Sequence, residues 1–188
     1  MMTTKAQDID KGFIGIAAGP SIPTSNFADK SSTNPKAGFA TNGFVLDLAT
    51  FCHKITNNFG ICANWFGEVC KQDNTNNPNG DISANWTFAA INAGPSISVN
   101  AGKIVEFDLR PMVGLADAIY DQPGASVNNI SYAFSYDLGG TLRINPLKKI
   151  TIIVNADYFS VNPKFKDAGF QQQITTLGIS FGLGWRFY

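Results

Sequence analysis

From Thr175 to the C-terminus, bulky apolar residues alternate with small or polar ones. Odd positions carry Thr175, Leu177, Ile179, Phe181, Leu183, Trp185 and Phe187; even positions carry Thr176, Gly178, Ser180, Gly182, Gly184, Arg186 and Tyr188. Only an extended strand sends successive side chains to opposite faces, so the pattern predicts a β-strand between two unlike media. The alternation recurs. Over 104–115, Val105, Phe107, Leu109, Val113 and Leu115 oppose Glu106, Asp108 and Arg110. Tyr132, Phe134, Tyr136, Leu138, Leu142 and Ile144 oppose Ser135, Asp137, Thr141 and Arg143, and over 150–158 Ile150, Ile152, Val154 and Tyr158 oppose Thr151, Asn155 and Asp157. Residues 44–50 and 59–69 behave alike, with Asp47 and Glu68 on their polar faces. A helical period fails, because charges at i, i+2 and i+4 would circle a helix. Residues 12–20 are too rich in Gly and Ala to assign faces. In 82–99 the apolar parity switches between Phe88 and Ile91, which predicts a β-bulge near Ala89–Ala90.

These segments make eight strands, at 12–20, 38–51, 58–70, 82–99, 103–116, 131–145, 148–160 and 173–187. Long polar connections (21–37, 71–81, 117–130, 161–172) alternate with short ones (52–57, 100–102, 146–147) that hold turn residues such as Asn57, Gly102 and Pro146. The predicted fold is all-β: an eight-stranded antiparallel up-and-down transmembrane β-barrel over 12–188, with 1–11 a disordered tail left by a processed or replaced signal region. Lys5-Ala6-Gln7 is the expected remnant beside the cleavage point.

Alternation alone does not say which face is inside. A soluble lipocalin-like barrel would bury the bulky face; a membrane barrel reverses it. Charged residues are 15% of the chain, below the roughly 25% usual in soluble domains. Gly178, Ser180, Gly182 and Gly184 suit a narrow lumen better than a wetted surface. The charges Asp47, Glu68, Glu106, Asp108, Arg110, Asp137, Arg143, Asp157 and Arg186 all share the polar face, while all eleven lysines lie in tails, loops, turns or strand ends. A cation facing lipid at the midplane costs about 2–4 kcal/mol. Trp65, Trp86, Tyr132, Tyr136 and Tyr158 fall towards the long-loop end and Trp185, Phe187 and Tyr188 at the tight-turn end, as two interfacial girdles would. The bulky face is therefore expected to meet lipid.

The closing Gly182-Leu183-Gly184-Trp185-Arg186-Phe187-Tyr188 resembles the C-terminal strand that outer-membrane barrels present to the barrel-assembly machinery. The layout over 12–188 resembles the small eight-stranded family that includes OmpA and OmpX. The resemblance implies a bacterial outer-membrane location, outer-membrane lipid and the assembly machinery as partners, and, with the chain ending at the eighth strand, no peptidoglycan-binding domain after the barrel.

Confined charges must pair, because an unpaired buried charge is costly. With the 117–130 loop centred near Gly124, Arg110 falls opposite or diagonal to Asp137 and Glu106 falls near Arg143. Six acids against three arginines leave some acids to be hydrated, protonated or matched by a strand-end lysine. The lumen is expected to be a structural polar core with small water pockets, not an ion path. Cys52, Cys62 and Cys70 lack metal-site spacing, and parity puts Cys52 and Cys62 on opposite faces, so all three are expected to be free thiols. His53, the one histidine, sits at a turn away from the long loops and is read as solvated, not catalytic. No phosphate loop or paired-histidine zinc motif occurs, and zero net charge gives no reason to expect nucleic acid. No cofactor, metal or catalysis is expected. The long loops, with Asn76-Asn77-Pro78-Asn79-Gly80-Asp81 and Asp121-Gln122-Pro123-Gly124, are the candidates for a surface partner. The functional expectation is a structural, adhesive or surface-interaction barrel, with a narrow porin-like channel or conduit for small solutes, or a soluble ligand-binding barrel, as alternatives.

Overall fold

A computed structural model describes residues 11–73, 84–102, 104–121, 129–166 and 169–188. Eight long strands, β1 (Gly12–Pro23), β2 (Gly43–Lys54), β3 (Phe59–Lys71), β4 (Asn85–Asn100), β5 (Val105–Asp121), β6 (Asn129–Ile144), β7 (Ile150–Val161) and β10 (Ile174–Phe187), close into one antiparallel barrel in the order β1-β10-β7-β6-β5-β4-β3-β2. A short helix α1 (Ser25–Ala28) follows β1, and a small hairpin, β8 (Lys164–Phe165) with β9 (Phe170–Gln171), stands between β7 and β10. Paired residues can be followed once around the wall, from Ile14 through Phe51, Ala63, Ala93, Val113, Tyr136, Ser160 and Thr175. The walk returns to β1 at Thr24, ten residues from its start. Eight strands with this stagger enclose a lumen only wide enough for side chains.

The orientation is that of a membrane barrel. Leu183 and Phe134 are 60% and 63% exposed on the outer wall, whereas Arg110 and Asp137, at 0% and 2%, are sealed inside. Ile16, Ile91, Leu115 and Phe181 continue the outer apolar belt. Soluble monomers rarely expose contiguous apolar patches beyond a few hundred Å². The soluble ligand-binding alternative is thereby overturned. Among the described residues no helix is long and apolar enough to cross a bilayer; the crossing elements are strands of 12–17 residues, longer than the 9–11 a tilted strand needs.

Two details of register correct the expectations. First, the bulge lies not near Ala89–Ala90 but in β2. β3–β4 and β4–β5 pair without interruption through Ala89 and Ala90. β2, in contrast, slips against both neighbours between Asp47 and Ala49–Thr50, leaving Leu48 as the extra residue. Inward positions of β2 are Val45 and Asp47 before it and Thr50 and Cys52 after it. Cys52 therefore shares the lumen with its register partner Cys62, and the two form a disulfide. The expectation of three free thiols fails because strand parity reverses at a bulge; among the described residues Cys70 alone is free.

Second, the parity switch in β4 is a change of medium. Even positions face inward from Trp86 to Ser98. Trp86, Phe88 and Ala90 are apolar because the lumen itself is apolar at that end. Trp86, expected in an outer girdle, is 2% exposed and belongs to the interior. β5 also runs further than expected, to Asp121, which places Asp117 on the outward side of the wall, beside Tyr132. The expected tail falls on residues 1–10 outside the described region, except Lys11, whose N–H meets the Phe187 carbonyl.

Candidate functional site

The lumen and the long-loop end hold the only candidate chemistry among the described residues. Near the tight turns, adjacent β5 and β6 set Glu106 opposite Arg143 and, two residue pairs further, Asp108 opposite Thr141. Arg143 grips both acids: Nε to Asp108 Oδ2 at 2.6 Å, Nη2 to Asp108 Oδ1 at 3.2 Å and to Glu106 Oε1 at 2.6 Å. Ser98 donates to Asp108 Oδ1 at 2.5 Å, and Lys54, at the end of β2, pairs with Glu106. The sequence points to Lys54 only through its surplus of acids over arginines, which calls for a strand-end lysine. The guanidinium also lies 4.8 Å from the Phe13 ring centroid, so its flat face is covered while its edge is bonded. Phe13, Ala17, Met112 and Ile153 make an apolar layer around the Cys52–Cys62 bridge.

A second polar group lies across the middle. Arg110 Nη2 bonds Asp157 Oδ1 at 2.7 Å. The expected Arg110–Asp137 bridge is not made: Arg110 stands opposite Gly139, so Asp137 is its diagonal neighbour and instead accepts from Asn64 Nδ2 at 2.7 Å. Gly139 is what lets the guanidinium lie flat towards β7, since a Cβ there would stand 2.1 Å from Asp157 Oδ1 and 3.0 Å from Arg110 Nη2. The chain of amides continues from Asn92 to Asn64 at 3.2 Å and from Ser135 to Asn92 at 2.7 Å. Asp47 accepts from Ser180 at 2.5 Å and Asn155 at 3.0 Å, while Glu68 accepts from Ser21 and from Thr176 at 3.3 Å. Neutral hydroxyls and amides thus serve the acids that lack an arginine. A cavity of about 10 Å³, the space of a single water, is left between Asp47, Asn64, Glu68 and Asp157. Arg186 is outside this core: it lies half-buried at the tight-turn end, reaching the Leu147 and Lys148 carbonyls and the Tyr188 ring. It follows inward-facing Gly184 and its backbone still pairs with Phe13 on β1, but β7 begins only at Ile150 and the side chain turns to the 147–148 carbonyls instead of the lumen.

Towards the long loops the lumen turns apolar. Val45, Phe66, Phe88, Phe159, Val161 and Ile174 line it. Phe27 of α1 drops into the mouth, edge-on to Trp86 at 5.6 Å and Phe88 at 6.4 Å. Phe165 and Phe170 of the β8–β9 hairpin close from the other side, 6.0 and 6.3 Å from Trp86. These two phenylalanines, isolated in sequence, are brought together at 4.9 Å. The first long loop is built rather than slack. Trp86 Nε1 donates to the Gly38 carbonyl at 3.2 Å, Asp29 accepts from Asn34 Nδ2 at 2.5 Å and the Ser31 N–H at 2.9 Å, and Lys30 pairs with Asp73 at 2.7 Å. Ser25 and Phe39 hold positive φ (55° and 53°), a strained state for residues with a Cβ that persists only where packing over-determines it. Asn76–Asp81 and residues 122–124 of the other loop motifs lie outside the described residues.

Of the aromatic residues assigned to girdles, Trp65, Tyr132, Tyr136, Tyr158 and Trp185 are exposed on the outer wall. Phe187 is half-buried, stacked against Phe51 and His53 at 5.8 and 6.1 Å, and Tyr188 bonds the Lys148 carbonyl. His53 is thus a half-buried strand-end ring packed on Phe187 and belongs to β2 rather than to a turn.

No family model and no curated protein matches the sequence. Solved structures do. Ail, the attachment invasion locus protein of Yersinia pestis, is 20% identical with a TM-score of 0.53, covering 95% of this chain and 99% of its own. Its complex with the heparin analogue sucrose octasulfate aligns at 18% identity and a TM-score of 0.55, over 95% and 99%. Neisserial surface protein A is 12% identical with a TM-score of 0.62, covering 94% and 97%. With the polar lumen, greasy wall and closed eight-stranded sheet, the chain has the fold of the small outer-membrane β-barrels.

Proposed function

We propose that the protein is an integral outer-membrane barrel whose lumen is closed and whose long-loop end meets a surface partner, without catalysis. The observation that carries this reading is the aromatic stopper: Phe27, Trp86, Phe165 and Phe170 fill the mouth above a bonded ionic core. Such a lumen supports a scaffold over a solute channel. The strained, hydrogen-bonded 24–42 loop supports a shaped platform, and preorganised loops on rigid scaffolds are where binding residues collect. Ail is named for attachment; an adhesive role is the corresponding reading here, with exposed Lys36, Lys164 and Lys166 at the same end as the charges available to an acidic partner. The exposed Trp65, Tyr136, Tyr158 and Trp185 are proposed to mark the lipid interfaces, and the last strand, with Phe187 and Tyr188, to be the assembly-machinery signal.

The test pairs conductance with adhesion. Purified barrel in planar bilayers is expected to give no stable conductance steps, and cells displaying it to adhere to a host-cell layer or sulfated polysaccharide in a way lost when 29–37 is replaced by Gly-Ser. Steady conductance that grows on Phe27→Ala, with adhesion indifferent to the loop, would replace this reading with a channel.

A further inference from the structure

We propose that Cys52 and Cys62 are joined while the barrel is still open, so that the thiol-oxidising step acts on a registered β2–β3 hairpin and not on the finished protein. In the closed barrel both residues are buried and point into the lumen, where Phe13, Ala17, Met112 and Ile153 pack around them. Below that layer Arg143, Glu106, Asp108 and Lys54 are locked together; above it lies the Arg110–Asp157 pair. An oxidant has no approach to either sulfur from the lumen ends or through the hydrogen-bonded wall.

The pairing also requires the hairpin. In an unfolded chain Cys62 is eight residues from Cys70 and ten from Cys52, and loop-closure statistics favour the wrong pair, Cys62–Cys70, by roughly 1.4-fold. Once β3 is extended, Cys62 and Cys70 stand about 27 Å apart on one strand, beyond any bond. The β2–β3 register, with Leu48 bulged out, then sets Cys52 directly opposite Cys62. Closure afterwards seals Cys70 beside Ser21 as a thiol, 3.8 Å from its hydroxyl.

The partner is a disulfide-bearing oxidant, protein or small molecule. One cysteine thiolate attacks a sulfur of that disulfide, forming a mixed disulfide and releasing one oxidant thiolate. The second cysteine thiolate attacks the mixed disulfide, forming Cys52–Cys62 and expelling the other oxidant sulfur. The hairpin loses two electrons and two protons; the oxidant takes them up as a dithiol, or as two separate thiols where its disulfide joins two molecules. An oxidising compartment between ribosome and outer membrane supplies such chemistry.

The experiment uses the full chain, reduced and unfolded in urea, then folded into detergent with reductant present; folding is read as resistance of the unboiled protein to SDS. After reductant is removed, oxidised glutathione is added and free thiols are counted by mass-tagging after denaturation. The folded reduced chain is expected to oxidise at least roughly 100-fold more slowly than the same chain in urea. Should the reduced chain fail to fold while the oxidised one folds, the order of events is the same. In urea, peptide mapping is expected to find Cys62–Cys70 beside Cys52–Cys62, and only Cys52–Cys62 in chain oxidised during folding. Rapid oxidation of the SDS-resistant barrel, or pure Cys52–Cys62 from the urea-unfolded chain, would overturn the proposal.

Discussion

Replacing Arg143 with Met tests the lumenal ionic core at its most connected point. The guanidinium is buried, makes two bonds to Asp108 and one to Glu106, and covers the Phe13 ring. Met keeps most of the side-chain volume and the contact with Phe13, but leaves Glu106 with Lys54 and Asp108 with Ser98. Breaking a buried ion pair from one side costs about 3–5 kcal/mol, because a carboxylate stays desolvated without its cation. With a urea slope of about 2 kcal/mol per molar, the unfolding midpoint falls by about 2 M. The assay is urea unfolding of the detergent- or vesicle-folded protein, followed by tryptophan fluorescence and by loss of SDS resistance. Adding Asp108→Asn to Arg143→Met should recover part of the loss, since a neutral amide asks less of its surroundings than an orphaned carboxylate. A loss below about 1 kcal/mol, the scale of solvent-exposed pairs, would show that water reaches these charges and that the lumen is not the closed core described.

Three further outcomes are expected. Double-mutant cycles should give Arg110 with Asp157 a coupling of about 1–3 kcal/mol and Arg110 with Asp137 less, while Gly139→Ala, which drives a methyl into Asp157, should cost about 1–3 kcal/mol by itself; equal coupling to both acids would contradict the register. In single-tryptophan variants, brominated lipid should quench Trp65 and Trp185 strongly and Trp86 hardly at all; strong quenching of Trp86 would put it back on the lipid face. Asp29 in the first long loop is held below the usual carboxylate range, first by the Asn34 amide and then by the Ser31 N–H. A depressed folded value means that its support is present above the unfolded value and is lost as pH falls through the folded one. Protease sensitivity within 29–37 should therefore rise below about pH 4, and Asp29→Asn should remove that pH dependence.

Binary patterning was enough to read eight strands, their alternating connections and the outward greasy face, because a strand's side-chain period is two wherever its faces meet different media. It also set Glu106 across from Arg143, since a hairpin's register follows from its length. It misled where that premise broke. Parity counting cannot see one extra residue, and Leu48 looks like any other apolar position in sequence, yet it turns Cys52 inward and makes a disulfide. In β4 the inward face is itself apolar from Trp86 to Ala90, so the pattern change marked a stopper rather than a bulge. Arg186 obeys the parity, but its side chain turns to the 147–148 carbonyls at the rim.

Sequence by itself therefore determined the barrel, its strand number and its inside-out polarity: these are local properties, repeated on every strand and enforced by the cost of charge in hydrocarbon. Tertiary structure alone decided which acid Arg110 holds, which cysteines meet and what closes the mouth. Those depend on stagger around a closed sheet and on Phe27, Phe165 and Phe170 folding back from separate loops, and no local pattern encodes a meeting such as that of Phe27 and Phe165 with Trp86, 59 and 79 positions away.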